Sequence, residues 1–156
     1  LTEVLKSWDL YIFGNKNGLQ GWKENPRVHH QGFMASDDFI HSVDADFGLV
    51  WDGDSLETCS GVFGAYLKWN SPHTVSFCLR SAVPVIIWQE AAVASIIEKE
   101  GAGFAIKDPQ ELNERLKTLT PTEYHQMKEN AKRLAKELNS GHFLRQALQE
   151  YFTSEV

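Results

Sequence analysis

The feature that most constrains the fold of this chain is a series of short apolar runs separated by helical patterns. The runs cover residues 9–13, 28–30, 47–51, 83–88 and 103–106. Most are apolar throughout rather than alternating, which is typical of strands that helices cover on both faces. The helical patterns between and after the runs cover residues 37–43, 72–81, 91–100 and 109–119. This repeated order of strand and then helix predicts an α/β fold with a doubly wound parallel sheet.

Two helix starts near the C-terminal end carry strong sequence signals. Asp108 and Thr120 each precede a proline, and a glutamate follows three residues after each of them. This arrangement is typical of a capped helix with proline in its first turn. The second of these helices carries an apolar stripe that ends before Gly141, and a last helix is predicted over residues 142–152. The last helix is apolar on adjoining faces, so we expect it to pack against something.

Length and composition predict one folded domain over residues 1–156. The chain has 42% hydrophobic and 23% charged residues, as ordinary globular domains do. Its formal net charge of -6 argues against nucleic acid or an anionic membrane as a partner. The two cysteines, Cys59 and Cys78, are expected to be reduced thiols of a cytoplasmic protein. Because the chain begins at Leu1 rather than methionine, we expect a further part upstream.

The segment over residues 66–74 has the composition of a phosphate-binding loop. Lys68 and Asn70 precede Ser71 and Pro72, which suit the cap and the first position of a helix. Free backbone N–H groups at a helix start, together with the helix dipole and a nearby lysine, attract phosphate. A capped helix beside a solvated lysine is the alternative, and spacing alone does not decide between them.

Four segments together resemble a known family. They are GLVWDG at residues 48–53, KWNSPH at residues 68–73, PVIIW at residues 84–88, and the helix region over residues 124–141. They resemble the C-terminal half of bacterial glycosyltransferases that have two facing Rossmann-like domains, the GT-B architecture. Within that group, the chain is similar to the glucosyltransferases that extend O-linked N-acetylglucosamine on serine-rich adhesins and to galactofuranosyltransferase-like proteins. Thr74 stands where that family usually has a lysine.

The resemblance implies a site for a UDP-sugar donor, with glucose as the expected hexose. Lys68 would neutralise the diphosphate, and Asn70, Ser71 and the N–H groups around His73 and Thr74 would hold its oxygens. Preorganised donors of this kind stabilise the charge that develops on a leaving group.

Three further positions are candidates for contacts with the same donor. Gly32 and Phe33, in a loop expected after the second strand, would lie against the nucleobase, although Phe33 could equally be a core or interdomain aromatic residue. Lys16 would reach the cleft from the first loop or remain solvated. Glu90 would contact the donor sugar or serve as a carboxylate at a helix start.

The resemblance also implies partners and a second, acceptor-binding half of the enzyme. A glycan or glycoprotein would be the acceptor, and an N-terminal half of the same enzyme would bind it and be needed for transfer. A homo-oligomer is also compatible with the sequence. The alternative is a non-catalytic module that binds nucleotide or oligomerises, and no cofactor is predicted.

A metal-dependent reaction is the third alternative. Asp52 and Asp54 form a D-x-D sequence after an apolar run, and paired aspartates with phosphate oxygens can hold Mg²⁺. The Asp-Gly pair is also a common turn, however, and Asp44 and Asp46 repeat the pattern. We therefore interpret residues 52–54 as a turn and predict no metal site.

Overall fold

The computed structural model describes residues 7–14, 25–53 and 55–154. Its strands are β1 (Leu10–Phe13), β2 (Val28–Gly32), β3 (Gly48–Val50), β4 (Val85–Trp88) and β5 (Gly103–Ile106). The helices are α1 (Ser36–Ser42), α2 (Gly61–Leu67), α3 (His73–Arg80), α4 (Ala94–Lys99), α5 (Pro109–Thr118), α6 (Pro121–Asn139) and α7 (His142–Ser154). The prediction of an α/β chain with helices at its C-terminal end is confirmed.

The strands form two small parallel sheets instead of one continuous sheet. β1 pairs with β2, and β4 lies between β3 and β5. Every pairing is parallel, as the apolar runs predicted. The two sheets are connected through helices: α1 packs on α3, where the Phe39 and Phe77 rings lie 6.3 Å apart between centroids. Apolar strands predict parallel pairing, but they do not predict which strands pair with each other. Helices that cover the strands can also hold two separate sheets together.

The core is built around β4, whose four residues are all buried. α2, α3, α4 and α6 supply the side chains that cover this strand in the larger core cluster. Trp88, at the carboxyl end of β4, is only 2% exposed. Trp88 therefore anchors the segment that follows β4 in the core.

Gly103 lets β5 pair closely with β4. It lies opposite Val85, and a Cβ built at Gly103 would stand 1.8 Å from the Val85 carbonyl oxygen. No side chain can occupy that space, so glycine is required for this approach of the two backbones.

The two capped helix starts are confirmed. The Asp108 carboxylate accepts hydrogen bonds from the backbone N–H groups of Gln110 and Glu111, at 2.9 and 2.8 Å. Thr120 and Glu123 form a capping box, in which each side chain accepts from the other residue's backbone N–H group. Local residues determine these boundaries because both bonding partners lie within one helical turn.

The other helix boundaries differ from the prediction in two informative places. Helix α2 was not predicted, because it contains Gly61 and Gly64, and glycine weakens a helical pattern. Gly64 is nevertheless needed there, since a Cβ at this position would lie 2.5 Å from the Cys59 carbonyl carbon. α3 begins at His73 rather than at Pro72, which is its N-cap residue.

The last helix extends away from this core. α7 contacts α6 near their junction, while its large apolar side chains are exposed: Phe143, Leu144, Leu148, Tyr151 and Phe152. We expected this helix to be packed, and within the described residues its apolar faces remain uncovered. Among residues 7–14, 25–53 and 55–154, no helix is both long and apolar enough to cross a bilayer.

Candidate functional site

The candidate site lies at the edge of the three-stranded sheet where the strands end. Ligands of parallel α/β sheets bind at this edge, outside the carboxyl ends of the strands. β3 ends at Val50 and β4 at Trp88, and Val50 is paired with Ile87 in register. Asp52 and Glu90 follow these two strand ends, which places both carboxylates at the same edge.

Both carboxylates influence the buried thiol of Cys59. Burial raises the pKa of the Cys59 thiol to about 11, and the negative charges of Asp52 and Glu90 contribute to the rise. Cys78 is also buried, which raises its pKa to about 11, and both cysteines are free. Thiols with raised pKa values are poor nucleophiles, so neither cysteine is a candidate for chemistry at this site.

Lys68 reaches this edge from the end of α2. Its ammonium Nζ lies 2.6 Å from Glu90 Oε2 and 5.2 Å from the centroid of the Trp88 ring. The Leu67 carbonyl accepts a hydrogen bond of 2.9 Å from the Ala92 N–H group, which ties the end of α2 to the segment after β4. The lysine that the sequence singled out is therefore fixed between a carboxylate and an aromatic face.

The start of α3 has no side-chain cap, contrary to the prediction for Ser71. Pro72 is the N-cap residue, and in the part of the chain that the structure describes no side-chain hydrogen bond caps this helix start. Proline has no side-chain acceptor, and Ser71 lies one residue too early to serve as the cap. His73 and Thr74, the first two helical residues, are exposed. Their N–H groups are at the positive end of the α3 dipole.

Asn70 lies between the lysine and this helix start. Its backbone N–H group donates to the Tyr66 carbonyl at 3.1 Å, so the turn that ends α2 fixes its position. Asn70 itself is half-buried, whereas the neighbouring Trp69 is 86% exposed. The short turn over residues 68–72 thus joins the lysine directly to the uncapped helix.

The predicted nucleobase residues lie at the end of the other sheet. Gly32 is the last residue of β2, not part of a loop after it, and its carbonyl accepts from the Gly14 N–H group at 2.8 Å. The predicted loop was wrong because β2 continues past a register shift at Gln31, and Gly32 pairs with Phe13 of β1. Phe33 follows and is 86% exposed, so it is not a core residue of the described chain. Lys16 lies outside the described residues.

A row of aromatic rings connects the end of β1 with the start of α3. The Phe13 and Phe39 centroids are 5.0 Å apart, and Phe39 and Phe77 are 6.3 Å apart. Phe77 in turn stacks with His73 at 6.3 Å. Gly14, which follows Phe13, donates its N–H to the Gly32 carbonyl, so the row begins beside the paired ends of β1 and β2.

The two D-x-D sequences have different surroundings. Asp46 Oδ1 accepts a hydrogen bond of 3.0 Å from the Tyr124 hydroxyl, and burial together with this carboxylate raises the pKa of Tyr124 to about 12. Asp46 thus holds α6. Partial burial raises the pKa of Asp52, and Asp54 lies outside the described residues. Within the described part of the chain, no three His, Cys, Asp or Glu side chains form a group that could hold a metal ion.

Two contacts of the candidate site could not be predicted from the sequence. The pairing of Lys68 with Glu90 joins residues 22 positions apart, and the Trp88 ring beneath Lys68 was expected only as part of a strand. The sequence did indicate their positions relative to the elements: Trp88 ends a strand, Glu90 follows it, and Lys68 precedes a helix start.

Comparison with known proteins finds a family that matches most of the chain. Residues 1–151 match the family described as Glucosyltransferase 3-like, C-terminal domain. The chain is 39% identical over 128 residues to beta-1,6-galactofuranosyltransferase WbbI of Escherichia coli (strain K12), a match that covers 82% of this chain and 39% of that protein. It is 28% identical over 104 residues to Glucosyltransferase 3 of Streptococcus parasanguinis, covering 67% of this chain and 29% of that protein.

The chain therefore belongs to the family of Glucosyltransferase 3-like C-terminal domains. Both relatives are named as glycosyltransferases, one for galactofuranose and one for glucose. The chain spans less than half the length of either relative. The resemblance found in the sequence is confirmed at the level of the family.

Proposed function

We propose that this chain is the nucleotide-sugar-binding domain of a GT-B glycosyltransferase, with the doubly wound, Rossmann-like arrangement of that class. Its donor is a UDP-sugar, with glucose as the expected hexose, and its acceptor is a glycan or glycoprotein. One observation carries this proposal: the Lys68 ammonium and the uncapped start of α3 are joined by a short turn, residues 68–72, at the ligand-binding edge of the sheet. Membership of a family whose relatives are named as glycosyltransferases supports it.

The turn and the helix start have the chemistry that a diphosphate requires. Lys68 supplies a positive charge, and the N–H groups of His73 and Thr74 supply donors aligned with the α3 dipole. Asn70 and Ser71 add side-chain donors from the same turn. In sugar transfer the diphosphate leaves with increased negative charge, and donors already in place stabilise that charge without reorganisation.

The remaining parts of the donor are assigned to neighbouring strand ends. The nucleobase lies against Gly32 and Phe33, since an exposed aromatic ring beside a positive-φ glycine offers a flat face with open backbone space. Glu90 faces the sugar, where a carboxylate can accept hydroxyl hydrogen bonds. Lys16 stays a candidate for the same cleft.

Transfer itself requires a second, acceptor-binding half of the protein. The uncovered apolar side chains of α7 support a docking surface for that half, and a groove lined by Arg145, Leu148, Gln149, Phe152 and Thr153 follows this helix. The lengths of the relatives leave room for such a half. The alternative partner for this surface is a second copy of this chain, as expected for a non-catalytic oligomerisation module.

A metal-dependent site at Asp52 is the weaker proposal. A divalent ion would duplicate the positive charge that Lys68 already brings to this edge. The Asp52–Gly53 turn is also packed against the backbone of Ser60, where a Cβ at Gly53 would lie 2.4 Å from the Ser60 nitrogen. This close packing is a structural reason for an Asp-Gly sequence at this position.

Calorimetric titration of the 156-residue chain tests the proposal. We expect UDP and UDP-glucose to bind more tightly than GDP or CDP, and the affinity for UDP to be the same with and without EDTA. Loss of binding in EDTA would favour the metal-dependent site. No binding of any nucleotide would contradict the proposal and favour a module that only oligomerises.

A further inference from the structure

Lys68 already has an anionic partner in the structure. Its ammonium is 2.6 Å from the Glu90 carboxylate, and the two side chains are 44% and 49% exposed. Among the residues that the structure describes, Lys68 is the hydrogen-bond partner found for the Glu90 side chain. The charge that would bind a diphosphate is therefore shared with a carboxylate of the same chain.

The backbone keeps these two partners together. Glu90 lies in a turn closed by a hydrogen bond of 3.0 Å from the Ala91 N–H group to the Trp88 carbonyl. Lys68 is the C-cap residue of α2. Leu67, the residue before it, is fully buried. The ion pair therefore forms without any change in the neighbouring strand or helix.

The pair is nevertheless weak enough to be exchanged. Ion pairs between exposed side chains contribute little, because water and salt screen them. A diphosphate carries more negative charge than one carboxylate and is also held by the N–H groups at the start of α3. In competition for the Lys68 ammonium, the diphosphate is therefore the stronger partner.

We propose that Glu90 competes with the donor diphosphate for Lys68, and that donor binding transfers the ammonium from the carboxylate to the phosphate oxygens. This inference rests on the proposed function. Glu90 is then a positioning residue that acts through Lys68 and sets the affinity for the diphosphate. After the exchange, its carboxylate is free to accept hydrogen bonds from hydroxyl groups of the sugar.

Glu90→Gln tests the exchange, because glutamine keeps the shape of the side chain and removes its charge. We expect this variant to bind UDP about two- to fivefold more tightly than the unmodified chain at one ionic strength, the range that corresponds to one exposed ion pair. Uridine, which has no phosphate, should bind equally to both. Glu129→Gln is the matched control, since Glu129 forms an equally short and similarly exposed pair with Lys132 on α6.

A double-mutant cycle with Lys68→Ala separates competition from simple repulsion. Competition predicts that Lys68→Ala weakens UDP binding more when it is combined with Glu90→Gln than when Glu90 is kept, because Lys68 is fully available once the carboxylate is removed. An equal or smaller loss, or weaker UDP binding by Glu90→Gln alone, would overturn the exchange while leaving the site intact. Absence of UDP binding by the unmodified chain would overturn the proposed function, and the exchange with it.

Discussion

Replacing Lys68 by alanine is expected to weaken UDP binding by about 1.5–3 kcal/mol, the size of a hydrogen bond to a charged group. This corresponds to a loss of affinity of about tenfold to 150-fold. The physical reason is that the variant loses the ammonium that brings positive charge to this edge of the sheet. Isothermal titration calorimetry at one fixed salt concentration measures the change.

Lys99→Ala is the control for that experiment. Lys99 is also exposed, but it is the last residue of α4, at the opposite end of that helix from the residues that follow β4. The substitution removes the same charge from the chain and should leave the affinity for UDP unchanged. Equal affinities for the Lys68 and Lys99 variants would contradict the assignment of Lys68 to the diphosphate.

Gly103→Ala is expected to lower the free energy of unfolding by about 3 kcal/mol or more. The added Cβ would stand 1.8 Å from the Val85 carbonyl oxygen, and that atom belongs to the backbone of the central strand. Relief of this overlap requires β5 to move away from β4, which weakens the pairing of all four residue pairs in the ladder. Urea denaturation followed by circular dichroism measures the loss.

Gly141→Ala distinguishes this overlap from the general effect of replacing a glycine. Gly141 has a φ of +70° and a nearest atom 3.9 Å from its built Cβ, so the substitution adds backbone strain without an overlap. We expect a loss of about 1 kcal/mol for this control. If the two substitutions lower the free energy of unfolding by the same amount, the result contradicts the close approach of β4 and β5 at Gly103.

The sequence predicted those elements whose determinants are local. The parallel strands followed from runs that are mostly apolar throughout, and the starts of α5 and α6 followed from Asp108 and Thr120 with their prolines and glutamates. In each case the interacting groups lie within a few residues of one another. The family resemblance likewise depended on short segments, and the family comparison confirms it.

The parts that could not be predicted depend on contacts between distant residues. α2 contains two glycines, and one of them, Gly64, is required by the nearby backbone of Cys59. The two sheets are joined by the packing of α1 against α3, which brings together residues far apart in sequence. The partner of Lys68 lies 22 residues away and is brought to it by β4. Periodicity and capping signals contain no information about such contacts.

The candidate site was predicted as a segment, and the structure adds its surroundings. Lys68, Asn70 and the start of α3 were expected together because they are adjacent in sequence. Ser71 was wrongly expected to cap α3, since Ser-Pro suits two successive positions of a helix start and the structure uses Pro72 as the cap. This shift by one residue leaves the first turn of α3 without a side-chain cap, which favours an anion there.

The most direct test of the central claim is to map UDP binding by amide NMR on the ¹⁵N-labelled chain. If the site is the turn after α2 and the start of α3, UDP should shift the amide signals of Lys68, Asn70, His73 and Thr74 more than those of α7. The largest shifts should be at His73 and Thr74, whose N–H groups would donate to the phosphate oxygens. Shifts confined to α7, or UDP binding that leaves residues 68–74 unchanged, would contradict the proposed nucleotide-sugar site.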